Sequence, residues 1–403
     1  MSLTPQTQTI LLLTSHFSKS EENEVKPLTR KEWGRFAIWL KQQNMKPEQL
    51  LINSLQEQLA TWQDKTISIE RVEQLLNRGT ALAIAMEKWT RAGLWVISRT
   101  DETYPLYLKK RLKSDSPAIL FGCGNQNLLN QEGIAVVGSR HASEEDLKFS
   151  EQLGKMTAEQ DVTLISGGAK GVDEAAMFGA LTQGGTVIGV LADGLLKTCC
   201  AARYRNFLVT DHLALISPFY PEAGFSVGTA MSRNKYIYCL SESAVVVHSD
   251  TQGGTWTGAS ENIKNQWVKL WVKPSSDPMS GNFELVKSGG SWLSDSILSQ
   301  PSLLYALTTN TSEIDSPRSQ ELLFEKRETV LDSYKPSWSN LDFYAFFLLK
   351  MQEICDSQAR TSEELVAQLN IKKNQLESWL KQAVADKKIQ KFSKPTRYQW
   401  KQV

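Results

Sequence analysis

The 403-residue chain has few cysteines, almost no net charge and no long apolar run. Its five cysteines (Cys123, Cys199, Cys200, Cys239 and Cys355) are odd in number and form no CxxC. That argues against a disulfide framework and a zinc ribbon, and implies a reducing cytoplasm. The four histidines, His16, His141, His212 and His248, are scattered without an HExxH or HxH pair, so no metal is expected. With a net charge of +1, any nucleic-acid surface must come from local clustering. No stretch approaches the ~20 apolar residues of a membrane helix. The start, Met1 to Phe17, has an apolar patch but no basic n-region and no small-residue cleavage site, which argues against a signal peptide. No internal repeat and no low-complexity tract occurs. What remains, 41% hydrophobic and 22% charged residues, is the composition of a soluble globular protein. Its length calls for two or three domains.

The pattern along the chain divides it. Residues 1–27 read as a loose start. Residues 28–94 have helical periodicity, with Thr29 placed to cap a first helix, and form a small helical domain. Residues 95–296 form a core with a lead-in segment, and from 133 to about 296 short apolar runs alternate with helix-length segments. Strands are expected at Leu94–Ser98, Ala118–Gly122, Ile134–Gly138, Val162–Ser166, Thr186–Leu191, Leu213–Ser217, Ala244–His248 and Val268–Val272. From Ile134 on this predicts an α/β fold, a Rossmann-like doubly wound parallel sheet. Residues 297–340, rich in Ser, Thr, Asn and Pro, read as a linker. Residues 341–403 predict three helices and a small hairpin, the plan of a winged helix.

The chemistry sits in glycine turns. Gly138-Ser139-Arg140 follows one strand, and Ser166-Gly167-Gly168-Ala169-Lys170-Gly171 follows the next. A third turn, Gly253-Gly254-Thr255, opens another helix. Helix-start N–H groups and bare glycine backbone face an anion without a side chain in the way. Such turns also merely permit tight bends, but that does not account for Arg140 and Lys170 inside them. Arg233-Asn234 precedes a strand of the same sheet and is expected to point back over the cradle; surface charge is the ordinary reading of such a pair. Arg203, Arg205 and Asn206 are expected at the same sheet edge as further phosphate contacts. Tyr204, Phe219, Tyr220 and Trp256 are candidate base-stacking rings, with core packing the default for each. No strict GxGxxG and no GxxxxGK[ST] occurs, so neither a dinucleotide cofactor nor a P-loop is expected. No catalytic residue is assigned.

The tail carries Lys372, Lys373, Lys381, Lys387, Lys388, Lys391, Lys394, Arg397 and Lys401 against Glu377 and Asp386. This local excess reads equally as a DNA-contacting face or as a solvated one. Trp379 and Leu380 read as core.

Residues 95–296 resemble the DprA/Smf family of DNA-processing proteins. The resemblance rests on Tyr104-Pro105, Val137-Gly-Ser-Arg140, Ser166-Gly-Gly-Ala-Lys-Gly-Val-Asp173, Gly179-Ala-Leu181, Gly184-Gly185, Arg233-Asn234, Gly254-Thr255 with Thr257, and the late Asn282-Phe-Glu-Leu-Val with Gly289-Gly290. It extends to the three-part layout, a SAM-like helical start and a winged-helix tail. It implies a cytoplasmic protein that binds single-stranded DNA, loads a RecA-type recombinase and pairs as a homodimer. Two departures mark a divergent member. Arg203-Tyr-Arg-Asn206 stands where the family has Tyr-Pro-x-x-Asn, and Met177 or Phe178 stands near the place of a usual histidine. They suggest a paralogue specialised toward foreign DNA. The LOG phosphoribohydrolases share the superfamily, so cleavage of nucleoside monophosphates is the alternative, with Arg233 fitting but Glu261 one position late on its helix. A third reading is a nucleotide or DNA sensor that recruits a partner through its tail.

Overall fold

The computed structural model describes residues 3–18, 25–52, 54–277, 279–309, 343–355, 358–369, 373–386, 388–393 and 396–400. Residues 1–319 form one compact unit and 320–403 a second.

The first unit is built on a nine-stranded sheet. Its strands are β1 (Leu94–Ser98), β2 (Ile119–Gly124), β3 (Gly133–Val137), β4 (Thr163–Ser166), β5 (Val187–Val190), β6 (Leu213–Ser217), β7 (Ser243–Val246), β8 (Lys269–Val272) and β9 (Ser291–Trp292). The order across the sheet is β1-β2-β6-β5-β4-β3-β7-β8-β9. From β6 to β9 every neighbour is parallel. Both faces are covered, which is why these strands are apolar without alternation. On β3, Ile134 and Val136 enter one core while Ala135 and Val137 enter the other. This is the mixed α/β, Rossmann-like architecture.

The sheet is not wholly parallel. β2 runs antiparallel to β6, and β1 antiparallel to β2. The sequence marks both strands but not their partners, because pairing direction depends on a connection that residue pattern does not encode.

Two helices, Glu144–Glu159 and Val172–Thr182, pack backbone to backbone beside the sheet. A Cβ on Gly179 would collide with the Glu151 carbonyl, and one on Gly154 with the Ala176 carbonyl. Only bare glycine at both positions allows this approach.

The loose start expected over 1–27 is not what forms. Pro5–Thr14 is a helix capped by the Thr4 side chain, and Ile10, Leu11, Leu12 and Leu13 are each at most 2% exposed. These leucines share one core with helices Arg30–Gln42, Ile69–Leu76 and Gly79–Arg91 and with one face of the sheet. The capping box at Thr29 and Glu32 is present.

Part of the segment expected as linker is helix instead. A short helix, Leu303–Thr308, buries Leu303 and Leu307 in the first core. The Leu307 carbonyl accepts from Trp271 Nε1 (2.9 Å) and Ser243 Oγ (3.0 Å). Residues 310–340 of the expected linker lie outside the described residues.

In the second unit, helices Phe343–Cys355, Ser362–Leu369 and Lys373–Ala385 precede an antiparallel pair, β10 (Ile389–Phe392) and β11 (Arg397–Trp400). Its own core includes Phe347, Met351, Leu365, Leu376, Leu380 and Tyr398, with Trp379 packed against Phe347. Lys372, Lys387, Lys394 and Lys401 lie outside the described residues. No helix among the described residues is long and apolar enough to cross a membrane.

Candidate functional site

β3 and β7 are adjacent, yet the strands that continue from them run to opposite sides of the sheet. Loops leaving their carboxyl ends therefore diverge and leave a crevice, the position where open α/β sheets take ligands. A cavity of about 540 Å³ lies there. It is lined by the first turn (Gly138, Ser139, Arg140), the third turn (Gly253, Gly254, Thr255) and helix Val227–Leu240. Two of the three glycine turns thus meet in one wall, while the second supplies Ala169 and the floor.

The floor is a buried charge pair. Asp173, second residue of helix Val172–Thr182, is 5% exposed, and its carboxylate accepts the Gly138 N–H at 3.3 Å. Burial pushes this carboxyl above the usual range, against the pull of Arg233. Arg233 is also 5% exposed, and burial draws its guanidinium below its ordinary value while Asp173 opposes the shift. Arg233 Nη1 donates to the Val190 carbonyl at 2.5 Å, while its buried Nε has no hydrogen-bond partner. Gly167 passes between the two charges, and a Cβ there would strike both the Arg233 guanidinium and the Asp173 carboxylate. Gly171, at φ +91°, seats the second turn against the first, where a Cβ would come within 2.6 Å of the Ser139 carbonyl. Ser166 belongs to the scaffold: it is fully buried and its hydroxyl donates to the Val136 carbonyl at 2.6 Å.

The rim is open. Arg140 is exposed, and its guanidinium lies 5.3 Å from the centre of the Phe225 ring, itself 54% exposed. Asn234 Nδ2 donates to the Gly254 carbonyl at 2.9 Å and so ties the third turn to helix Val227–Leu240. Gly253 caps the next helix at φ +97° with open space around its Cα. Lys170 and Gly168 sit on the second turn, Lys170 exposed, but neither lines the cavity.

Other expected contacts fall elsewhere. Arg203 donates to Glu174 and covers the Tyr204 ring at 4.7 Å. With the exposed Arg205 and Asn206 it occupies helix Ala202–Val209, and none of the three lines the cavity. Of the expected stacking rings, Tyr204 stacks on Phe178 at 5.6 Å and is 1% exposed. Tyr220 packs on Trp89, Trp256 on the second core, and Phe219 lines a separate cavity with Arg30. The ring at the rim is Phe225, which the sequence reading missed. Arg233 is no surface charge: with Tyr236, Ile237 and Leu240 it forms one helical stripe, and all are buried.

Residues 95–300 match the family described as DNA recombination-mediator protein A. The chain belongs to this family. It is 32% identical over 157 residues to the DNA processing protein DprA of Streptococcus pneumoniae, covering 38% of this chain and 54% of that protein. It is 27% identical over 218 residues to DprA of Bacillus subtilis, covering 52% and 71%. With protein Smf of Escherichia coli it is 31% identical over 162 residues, covering 40% and 43%. The aligned region thus spans about half the length of the pneumococcal protein. The crystal structure of the Streptococcus pneumoniae DprA superposes with a TM-score of 0.57 at 20% identity, covering 74% of this chain and 99% of that one, a likeness of fold.

Proposed function

We propose that the crevice between β3 and β7 holds the sugar-phosphate chain of single-stranded DNA and that the protein acts as a recombination mediator without chemistry of its own. The observation that carries this reading is Arg140, exposed at the rim directly over the exposed Phe225 ring. A cation beside an accessible aromatic face suits an unpaired strand, which offers phosphates at regular spacing and bases free to stack. Gly253, Gly254 and Thr255 supply unobstructed backbone across the gap. Lys170 and Arg205 are further exposed cations outside the cavity, whereas the charge of Arg203 is taken up by Glu174. The family resemblance adds loading of a RecA-type recombinase by a homodimer, in the cytoplasm. It also suggests that the second unit is a winged helix and that the helices before β1 are a SAM-like module.

Nucleotide hydrolysis gains less support. It needs Arg233 on a ribose phosphate, but that guanidinium donates to the Val190 carbonyl beneath the floor. Glu261 is not among the residues that line the cavity.

Anisotropy of a labelled oligonucleotide tests the reading. Arg140→Ala with Lys170→Ala should weaken binding of single strands of any sequence, and equal affinity would reject the site. Release of adenine from AMP by the wild type would favour the hydrolase. Removal of residues 341–403 should leave strand binding intact if the tail serves a partner.

A further inference from the structure

Three of the five cysteines converge beside β2, far along the sheet from the β3–β7 crevice. Cys123 lies on β2, and Cys199 ends the short helix Leu195–Cys199, with Cys200 next to it. The Cys199 and Cys200 sulfurs are 3.8 Å apart. Cys123 is 3% and Cys199 8% exposed, whereas Cys200 is open to solvent. Nothing in the strand-binding reading uses these thiols, and a structural role needs neither a close sulfur pair nor an exposed member.

The Cys199 thiol donates to the carbonyls of Leu196 (3.1 Å) and Ala92 (3.6 Å), and the Cys123 and Cys200 thiols also face its sulfur. Hydrogen bonding from the Cys123 thiol, opposed by burial and aided less by Cys200, lowers the Cys199 thiol to about 7. Cys123 moves the opposite way, held protonated by its bond to Cys199 and by burial. Cys200 is raised as well. Cys199 is thus the most readily ionised of the three thiols, and the solvent-facing Cys200 thiol lies 3.8 Å from it. That division suits an attacking and a resolving cysteine.

We infer that Cys199 and Cys200 are a hydroperoxide-sensitive pair that closes to a reversible disulfide. In the first step the Cys199 thiolate attacks the outer oxygen of a hydroperoxide. The S–O bond forms, the O–O bond breaks, and the alkoxide or hydroxide leaving group takes up a proton. Cys199 is now a sulfenic acid, the sulfur oxidised by two electrons and the peroxide reduced. In the second step the Cys200 thiolate attacks that sulfur. The S–S bond forms, the S–O bond breaks, and hydroxide leaves as water. An external dithiol restores both thiols by exchange. Closure draws the sulfurs in from 3.8 Å to bonding distance, ~2 Å. Closure makes an eight-membered ring that contains the Cys199–Cys200 peptide bond, and the strain falls on that bond. The inference rests on thiol chemistry and stands apart from the DNA reading.

The full-length reduced protein is treated with hydrogen peroxide at pH 7, blocked with N-ethylmaleimide and digested with trypsin. Cleavage after Lys197 and Arg203 isolates both sulfurs in one peptide. The expected product is that peptide, lighter by two hydrogens, unblocked, and restored by dithiothreitol. Cys200→Ser, an exposed and structurally mild change, should instead leave Cys199 as a sulfenic acid that dimedone traps. Cys199→Ser should slow oxidation at position 200 by at least roughly tenfold at pH 7, because an ordinary thiol is only a few per cent ionised there. A wild-type peptide that gains only oxygen atoms, or joins the Cys123 peptide, would overturn the inference. So would Cys199→Ser reacting at the wild-type rate.

Discussion

The floor and the rim of the crevice each take an arginine from a short sequence motif, yet the two charges are held in opposite ways. On the floor, Asp173 and Arg233 are both 5% exposed, and Asp173 is satisfied by backbone that the sequence alone would offer to a phosphate. On the rim, Arg140 faces solvent with only an aromatic face beneath it. A buried pair is costly to split, because the survivor is left as an uncompensated charge. An exposed cation costs little to lose and gains most from a partner that arrives from outside. Glycine turns in this family fold therefore do two jobs. Gly167 lets the second turn close on the charged floor, whereas Gly253 leaves open space at the cavity wall.

The largest effect expected from that contrast is on the floor. Asp173→Ala should cost about 3–5 kcal/mol of stability in urea unfolding, a large share of what a domain has. Adding Arg233→Met should recover much of the loss, since the orphaned charge goes with it. If Asp173→Ala left the unfolding midpoint in place and only weakened strand binding, the floor would be a ligand surface and the contrast would fail. Gly167→Ala attacks the same pair by steric means, because its Cβ needs the space that both charges occupy. It should destabilise by an amount in the upper range for single substitutions, above about 2 kcal/mol, with the change read in the same unfolding series.

How much of this was legible in the sequence differs between the two layers. Strand positions were, because a strand covered on both faces is a continuous apolar run: Leu213–Ser217 is found as expected, and β3 is displaced by one residue. The helix Pro5–Thr14 was not, because Ile10 to Leu13 are buried on every side and so lack the polar face that marks a surface helix. The three glycine turns, two of them carrying a cation, follow β3, β4 and β7, as the sequence places them. What the residues could not show was which cation is outside. Arg233 looked like Arg140 in a motif, and only its spacing from Tyr236, Ile237 and Leu240 distinguishes it. Phe225 was missed because it lies in a segment with neither periodicity nor a motif, and its role depends on a loop folding back over Arg140.

The next effect belongs to the rim. Phe225→Ala should weaken binding of single-stranded DNA by roughly fivefold to a hundredfold, the ~1–3 kcal/mol that one stacked base contributes. Phe225→Trp should hold or raise affinity. Neither should change the unfolding free energy by more than about 0.5 kcal/mol, because the ring is 54% exposed and its loss opens no core. A Phe225→Ala protein that bound normally but unfolded early would assign the ring to the scaffold and erase the distinction between the two layers.

The smallest effect separates charge from shape. Arg140→Ala removes one exposed cation, so the slope of log affinity against log salt should become shallower by about 0.7, the counterion share of one phosphate on a single strand. Arg140→Lys keeps the point charge but loses the planar group that lies on Phe225, so its salt slope should match the wild type while its affinity falls. The two substitutions together tell whether the rim acts through its field or through the stacked pair. A slope unchanged in Arg140→Ala would mean that the strand's phosphates never reach the crevice mouth, whatever affinity remains.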